Sequence, residues 1–152
     1  MQSETSRQEQ ENAANGTADE DAIRQTLATD VDIWNSVEPW TGRAMEDWGN
    51  LYTDDVDYIS GAGHWLKGKR EIVATQQKNH DTLVARHATY KVSVERISFL
   101  KPDVALVHAA WEMTWASGAT VEVFKAILGI VMAKHDARWL IRAAQLTETN
   151  TH

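Results

Sequence analysis

Residues 103–135, DVALVHAAWEMTWASGATVEVFKAILGIVMAKH, decide the fold of this chain. Apolar side chains alternate along both halves of the stretch, and Ser117–Gly118 separates the halves. Alternation with a period of two is typical of β-strands, and a short link containing glycine joins antiparallel neighbours. The stretch therefore predicts two long antiparallel strands, at 103–116 and 121–135.

Both faces of these predicted strands are substantially apolar. One face of the first strand carries Val104, Leu106, His108, Ala110 and Glu112, and the opposite face carries Ala105, Val107, Ala109, Trp111, Met113 and Trp115. Helices can cover only one face of a sheet, whereas an antiparallel sheet with one wet side alternates apolar and polar residues. We therefore expect a homodimer in which the outer sheet face packs against a second copy.

The same period of two continues on both sides of this stretch. It predicts further strands at 87–100 and 138–148, joined through Lys101–Pro102–Asp103 and His135–Asp136–Ala137–Arg138. Links this short require antiparallel neighbours.

The first half of the chain has helical spacing instead. We predict helices at about 20–37, 41–52 and 69–84, with Pro39 ending the first of them. Between the second and third helices, Thr53–Asp54–Asp55 is expected to turn into a short strand, Val56–Ser60, followed by a bend at Gly61–Ala62–Gly63 and a second strand, His64–Leu66. The predicted fold class is α+β, in the order α-α-β-β-α-β-β-β-β.

The polar residues 1–18 are predicted to form a disordered tail ahead of one domain at 19–149, because they offer too little apolar surface to offset the entropy of ordering. The 152 residues are enough for a single core without a metal or disulfide.

Composition excludes several classes of protein. The chain has no cysteine and a net charge of −7, so thiolate sites and a basic nucleic-acid surface are excluded. The longest apolar run, 126–133, is far shorter than the ~20 residues of a membrane span, and no secretory signal opens the sequence, so a cytoplasmic location is expected. Phosphate-loop, Gly-x-Ser-x-Gly and His-Glu-x-x-His patterns are absent, so we expect no cofactor and no metal.

Several segments carry a resemblance to a known family. They are Trp34–Asn35, Leu51–Tyr58, Gly63–Gly68, Lys101–Val107 and Trp139–Thr147. Together with the element order they resemble the nuclear transport factor 2-like (NTF2-like) superfamily, whose α+β cone is shared by ketosteroid isomerases and SnoaL-type polyketide cyclases. The set is most similar to the SgcJ/EcaC-like, DUF4440-type branch. The resemblance implies a curved sheet around a small apolar pocket, and it does not fix an activity, because function belongs to the site and not to the fold.

Asp30 is the leading candidate for chemistry. It lies among Ile23, Leu27, Val31 and Trp34, the apolar stripe of the first predicted helix. A carboxyl group in such a stripe is desolvated, which raises its pKa and suits a general acid or base. The alternative is that the helix rolls and Asp30 reaches water.

Two positions depart from the ketosteroid isomerases. Counting from Tyr52, the place of their catalytic Asp is occupied by Ser60, and the place of the oxyanion-hole Tyr falls at Asp30. Any reaction would then need a different base. Asp57 is a second candidate carboxylate and faces away from Ser60 by strand parity, while Asp54 and Asp55 are expected to be turn or cap residues.

Three further polar residues are candidates. His108 could shuttle protons beside a carboxylate, although it and Glu112 also suit a dimer interface or a wet sheet edge. His80 borders the apolar side of the third helix, and the resemblance places Gln145 toward the cavity, where an amide can bind a ligand but cannot exchange a proton. Asp30, Asp57 and His108 are thus the predicted catalytic residues. The predicted ligand contacts are Trp34, Trp48, Tyr58, Ser60, His80, Trp111 and Gln145.

Two hypotheses follow from these residues. The first is a protein that binds a small apolar or polycyclic molecule, with cofactor-independent isomerisation or cyclisation as its candidate chemistry. The second is a non-catalytic association module with a vestigial cavity.

Overall fold

The computed structural model describes residues 4–36 and 42–149, which fold in the predicted order of elements. The helices are α1 (Glu4–Asn35), α2 (Arg43–Gly49) and α3 (Lys69–Ala85). The strands are β1 (Tyr52–Ile59), β2 (Trp65–Lys67), β3 (Thr89–Lys101), β4 (Val104–Ser117), β5 (Thr120–His135) and β6 (Arg138–Glu148). The α+β class and the element order are as the sequence indicated.

The six strands form one open mixed sheet in the order β2-β1-β6-β5-β4-β3. β3 to β6 are antiparallel neighbours, as their short links predict, and β1 inserts parallel to β6. The parallel pair joins distant parts of the chain, since β1, which follows α2, pairs with β6, the last strand of the domain.

The core lies between the helices and one face of the sheet, which we call the inner face. On β4 to β6 this face carries the buried side chains Ala105, Val107, Ala109, Ala126, Leu128, Ile130, Met132, Trp139, Ile141 and Ala144. The intervening residues form the outer face, which no other element of the described chain covers. Along β4 and β5, alternate residues therefore face the core and the outer surface.

Specific hydrogen bonds hold α1 against the inner face. The Thr26 hydroxyl donates to the Trp139 carbonyl at 2.9 Å, and the Trp139 indole N–H donates to Asp19 Oδ1 at 3.0 Å. At the other end of the helix, the Asn35 amide bonds both the N–H and the carbonyl of Tyr90, each at 2.8 Å. These contacts fix the rotation of α1, so its apolar stripe faces the sheet.

The structure differs from the sequence prediction at residues 4–18, which were predicted to be a disordered tail. They continue α1, and most side chains of residues 4–10 and 16–18 are exposed. A segment too polar to pack can still be helical, because Glu, Gln, Ala and Arg favour a helix that a packed segment has already nucleated. The predicted stop at Pro39 lies outside the described residues.

The boundary between α2 and β1 also differs. The prediction extended α2 to residue 52 and placed a turn at 53–55, whereas β1 begins at Tyr52. Tyr52 pairs with Ile141, and Asp54 and Asp55 are strand residues that pair with Lys69 (3.1 Å) and Arg142 (3.3 Å). Tertiary pairing with β6 overrides the local turn signal of adjacent aspartates.

No helix in the described ranges is both long and apolar enough to span a membrane.

Candidate active site at the inner sheet face

A cavity of about 370 Å³ lies between α1, α3 and the inner sheet face. Its walls are mainly aromatic and aliphatic, and a few polar groups interrupt them. A concave apolar site with a small number of placed polar groups is the usual form of a small-molecule pocket. The polar groups that matter here come from α1, β1, α3 and β3.

Asp30 is the buried acid of this cavity. Only 6 % of the residue is exposed, and its Oδ1 accepts hydrogen bonds from the Trp48 indole N–H at 2.6 Å and the Tyr52 hydroxyl at 3.5 Å. Burial raises the pKa of this carboxyl group to about 7, although the two hydrogen bonds act in the opposite direction. Among the described residues, no donor reaches the second oxygen, Oδ2.

Helical spacing explains why this carboxyl group is inside. Ile23, Leu27 and Asp30 are all buried and follow one another at intervals of four and three residues, with Trp34 next on the same stripe. The burial of Ile23, Leu27 and Trp34 is favourable, and Asp30 is buried with them because it lies on the same face of the helix. The exposed position that was the alternative for Asp30 is not observed.

Three tyrosines surround this acid. Burial raises the pKa of Tyr58 to about 12, and the nearby charge of Asp30 adds to the effect. Burial also raises the pKa values of Tyr52 and Tyr90 well above their usual range, again with a contribution from Asp30. All three hydroxyl groups therefore keep their protons at neutral pH and can act as hydrogen-bond donors.

A chain of amides from α3 orients one of these hydroxyls. Asn79 Nδ2 donates to Gln76 Oε1 at 2.7 Å, and the Gln76 side chain lies near Tyr58, where it partly offsets the rise in the pKa of that phenol. Gln76 is only 7 % exposed, one helical turn from the buried residues Ile72 and His80. The contact between Gln76 and Tyr58 fixes the phenol within the cavity.

Aromatic rings form the walls beside these polar groups. Trp34 meets Trp48 edge-on at a centroid distance of 6.3 Å and lies 6.0 Å from Tyr90. Tyr90 is in turn 5.5 Å from Trp111. Rings held in this way present flat surfaces to a planar ligand.

The structure brings six predicted site residues together around the cavity. They are Asp30, Trp34, Trp48, Tyr58, Ser60 and Trp111. His80, predicted as a ligand contact, is fully buried behind Trp34, with its Nε2 3.0 Å from the Ser36 carbonyl and its ring 5.7 Å from Trp34. His80 therefore lies behind the aromatic wall of the cavity and does not line the cavity.

Three other predicted residues lie away from the cavity. Asp57 is on the opposite side of β1, where it accepts a hydrogen bond from the Trp65 indole at 2.9 Å and lies 3.5 Å from Arg142. His108 is exposed on the outer face, in register with Arg96 and Gly129. Strand parity alone excludes both from the inner face.

Gln145 is outside for a different reason. Strict alternation from Trp139 and Ile141 would turn Gln145 inward, but the pairing of β5 with β6 skips a residue at Arg142. This bulge reverses the parity, so Ala144 faces the core and Gln145 is exposed.

Sequence reasoning missed three residues of the site. Tyr52 was assigned to a helix, and Tyr90 was hidden in a strand whose inner face was unknown. Gln76 carried a usable signal, because Ile72, Gln76 and His80 share one helix face at intervals of four residues.

The arrangement suits proton transfer. A carboxyl group that titrates near neutrality can remove a proton and return it, and neutral phenols can stabilise the negative charge that develops on an oxygen. In the described ranges, no group of three or more His, Asp or Glu side chains is placed to hold a metal ion.

No protein-family model matches this sequence, and no curated protein matches it. Solved structures do. A domain of unknown function with a cystatin-like fold from Nostoc punctiforme is 26% identical, with a TM-score of 0.74, over 89% of this chain and 80% of that one. An NTF2-like protein with a cystatin-like fold from Novosphingobium aromaticivorans is 15% identical, with a TM-score of 0.76, over 100% of this chain and 94% of the other.

A third structure, from the same Novosphingobium species, is named after scytalone dehydratase. It is 13% identical, with a TM-score of 0.71, over 92% of each chain. Likeness at such low identity concerns the backbone and not the reaction. By the agreement of these structures with its own architecture, the chain has the NTF2-like fold that its sequence resembles.

Proposed function

We propose that this protein binds a small, mostly apolar, planar molecule at its inner sheet face and moves a proton within it without a cofactor. Asp30 is the acid and base in this proposal, and Tyr58 and Tyr90 are the hydrogen-bond donors. The reaction class is the isomerisation, dehydration or cyclisation of a carbonyl compound.

The observation that carries the proposal is the buried carboxyl group of Asp30 at the cavity wall. With a pKa of about 7, both its protonated and its ionised form are populated at neutral pH. Trp48 and Tyr52 hold Oδ1, so Oδ2 is the oxygen that can meet a substrate proton. A base whose pKa matches the working pH is the most efficient one.

The tyrosines supply the second half of the chemistry. Removal of a proton next to a carbonyl group leaves negative charge on the carbonyl oxygen, which needs a donor in a dry site. Tyr58, with a pKa of about 12, is such a donor and is oriented by Gln76. Ser60, at the position of the ketosteroid isomerase base, lines the same cavity and cannot replace that base.

The likeness in fold supports the reaction class but does not select within it. One similar structure carries the name of a dehydratase. The sequence landmarks resemble the SnoaL-like and SgcJ/EcaC-like proteins, which favours a cyclase. The common step of all these reactions is proton transfer next to a carbonyl group, and this step is the one to test.

The test is the exchange of α-protons of 2-tetralone, a planar bicyclic ketone, into D₂O, followed by NMR. Asp30→Asn should lower the protein-catalysed rate by about 10²- to 10⁴-fold, because the amide cannot accept a proton. The wild-type rate should rise with pH through about 7 and then level off, since the base must be ionised.

The control is the binding of 2-tetralone to both proteins, followed by tryptophan fluorescence. Asp30→Asn keeps the shape of the side chain and should keep the binding. An exchange rate that is unchanged in the variant, or a wild type that catalyses no exchange while binding the ketone, would contradict the acid-base role.

A second candidate function, association of two copies, is favoured by the outer sheet face. Val121, Val123 and Ile127 are 68%, 41% and 53% exposed on β5, which is unusual for large apolar residues. We propose that a second copy covers this face, as the two-sided apolar pattern predicts. Sedimentation velocity should then show a dimer, and a monomer at every concentration would contradict this assembly.

A further inference from the structure

The mouth of the cavity carries a cation that the proposed proton transfer does not use. Arg86 is the C-cap residue of α3, lines the cavity and is exposed at its open end. The guanidinium carbon lies 5.5 Å from the centre of the Trp115 ring, and Trp115 stacks on Phe124 at 4.2 Å. Arg86 is therefore held beside an aromatic rim and not left to move freely in solvent.

This cation has no acidic partner in the described ranges. The arginines Arg43 and Arg142 and the lysines Lys69 and Lys134 each pair with an aspartate, but Arg86 takes part in no ion pair there. The whole chain has a net charge of −7. A free guanidinium at the opening of a pocket in an acidic protein attracts an anionic group there.

The end of α3 does not cancel this attraction. Helix C-termini carry partial negative charge, which would repel an anion. Here the Leu83 carbonyl accepts the Ala88 N–H at 2.9 Å, and the Val84 carbonyl accepts the His87 N–H at 3.0 Å. These last carbonyls are thus satisfied by the chain, and the guanidinium is the charge that faces the opening.

The two ends of the cavity differ in charge. Asp30 and Tyr52 occupy the buried end, where an ionised ligand group would meet the carboxylate. Arg86 and the neighbouring His87 occupy the mouth. A ligand with one anionic group is stabilised with that group outward and its apolar body inward.

We propose that the ligand of this cavity is a planar aromatic or polycyclic acid whose carboxylate pairs with Arg86. Its rings lie between Trp34, Tyr90 and Trp111, and the end opposite the carboxylate reaches Asp30. The planar fork of arginine matches a carboxylate with two parallel hydrogen bonds. This inference rests on the proposed binding function and names the chemical class of its ligand.

The experiment compares 2-naphthoate with 2-naphthamide, which share shape and rings and differ in charge. Binding to the full chain is measured by tryptophan fluorescence at low salt. The wild type should bind the acid roughly three- to tenfold tighter than the amide, as expected for one partly exposed charge-assisted contact. Arg86→Gln should remove this preference, because it weakens the binding of the acid more than that of the amide.

Two matched variants make the result specific. Arg96→Gln removes the same charge from an exposed position on β3, in register with His108 of the outer face, and should keep the preference for the acid. Arg86→Lys keeps the charge but not the fork, and should retain part of the preference.

An acid preference that survives in Arg86→Gln, or that is lost equally in Arg96→Gln, would overturn the inference. So would an amide that binds the wild type as tightly as the acid, while the pocket function itself would stand. If Arg86→Gln also loses its affinity for the amide, the salt dependence of the wild-type preference tests the inference instead. Its preference for the acid must then fall as salt rises from about 50 mM to about 500 mM, and a constant preference overturns the inference.

Discussion

The inner and outer faces of β4 and β5 consist of alternate residues of the same strands, yet they offer opposite environments to the titratable groups beside them. The inner face is buried beneath α1 and α3, where Asp30 lies in an aromatic cavity. The outer face carries His108 in the open. Both residues were predicted from the sequence to be catalytic, with Asp30 as the leading candidate.

The comparison teaches that the environment, and not the type of residue, decides which group can do chemistry. Asp57, on the far side of β1, lies 3.5 Å from Arg142 and accepts a hydrogen bond from Trp65. These contacts give it a structural role outside the cavity. Asp30 is buried and, within the part of the chain that the structure describes, is hydrogen-bonded only by neutral donors, so its ionised form is costly and its pKa is raised to about 7. Three predictions test this difference between the faces, in order of decreasing effect.

The largest effect concerns the pH dependence of folding. The Asp30 pKa is about 7 in the folded chain and near 3.8 when unfolded. The folded state therefore holds its proton between these values while the unfolded state releases it, so stability falls as pH rises from about 4 to about 7. The loss amounts to up to about 4 kcal/mol, and it is constant above that range.

Urea unfolding of the wild type and of Asp30→Asn across this range measures the effect. The stability of the wild type relative to the variant should decrease steadily with pH, because the amide has no proton to release. Asp32→Asn, two residues away on the exposed side of α1, is the control and should change stability by less than about 0.5 kcal/mol. A difference that does not vary with pH would show that Asp30 is not desolvated.

The next effect compares two isoleucines of β5. Ile130 is 1% exposed on the inner face, and Ile127 is 53% exposed on the outer face. Ile130→Ala should cost about 2–4 kcal/mol of unfolding free energy, through lost burial and a new void. Ile127→Ala should cost less than about 0.5 kcal/mol in dilute solution. Equal costs in chemical denaturation would contradict the assignment of the faces.

The smallest effect concerns assembly through the outer face. Ile127→Lys places a charge in the apolar patch of Val121 and Val123, so it should shift the proposed dimer toward monomer in sedimentation velocity. Ala74→Lys adds the same charge to an exposed position on α3 and should leave the assembly unchanged. Dissociation by both variants, or by neither, would count against the outer face as the interface.

Much of the fold could be predicted, because it depends on local periodicity. The four long strands and their antiparallel links followed from alternation and turn residues, and the helix spacing placed Asp30 on a buried stripe. The site was predicted only in part. Tyr52 required the parallel pairing with Ile141, a contact between distant segments that no local pattern encodes.

The sequence by itself determined the order of the elements and placed Asp30 on the apolar stripe of α1, because periodicity of two and of 3.6 is a property of neighbouring residues. Only the tertiary structure decided which face of the long strands is inner, since both faces are apolar. It also decided, through a one-residue bulge at Arg142, that Ala144 and not Gln145 faces the core. A shift of one residue exchanges the two faces of a strand, and only the register with neighbouring strands fixes it.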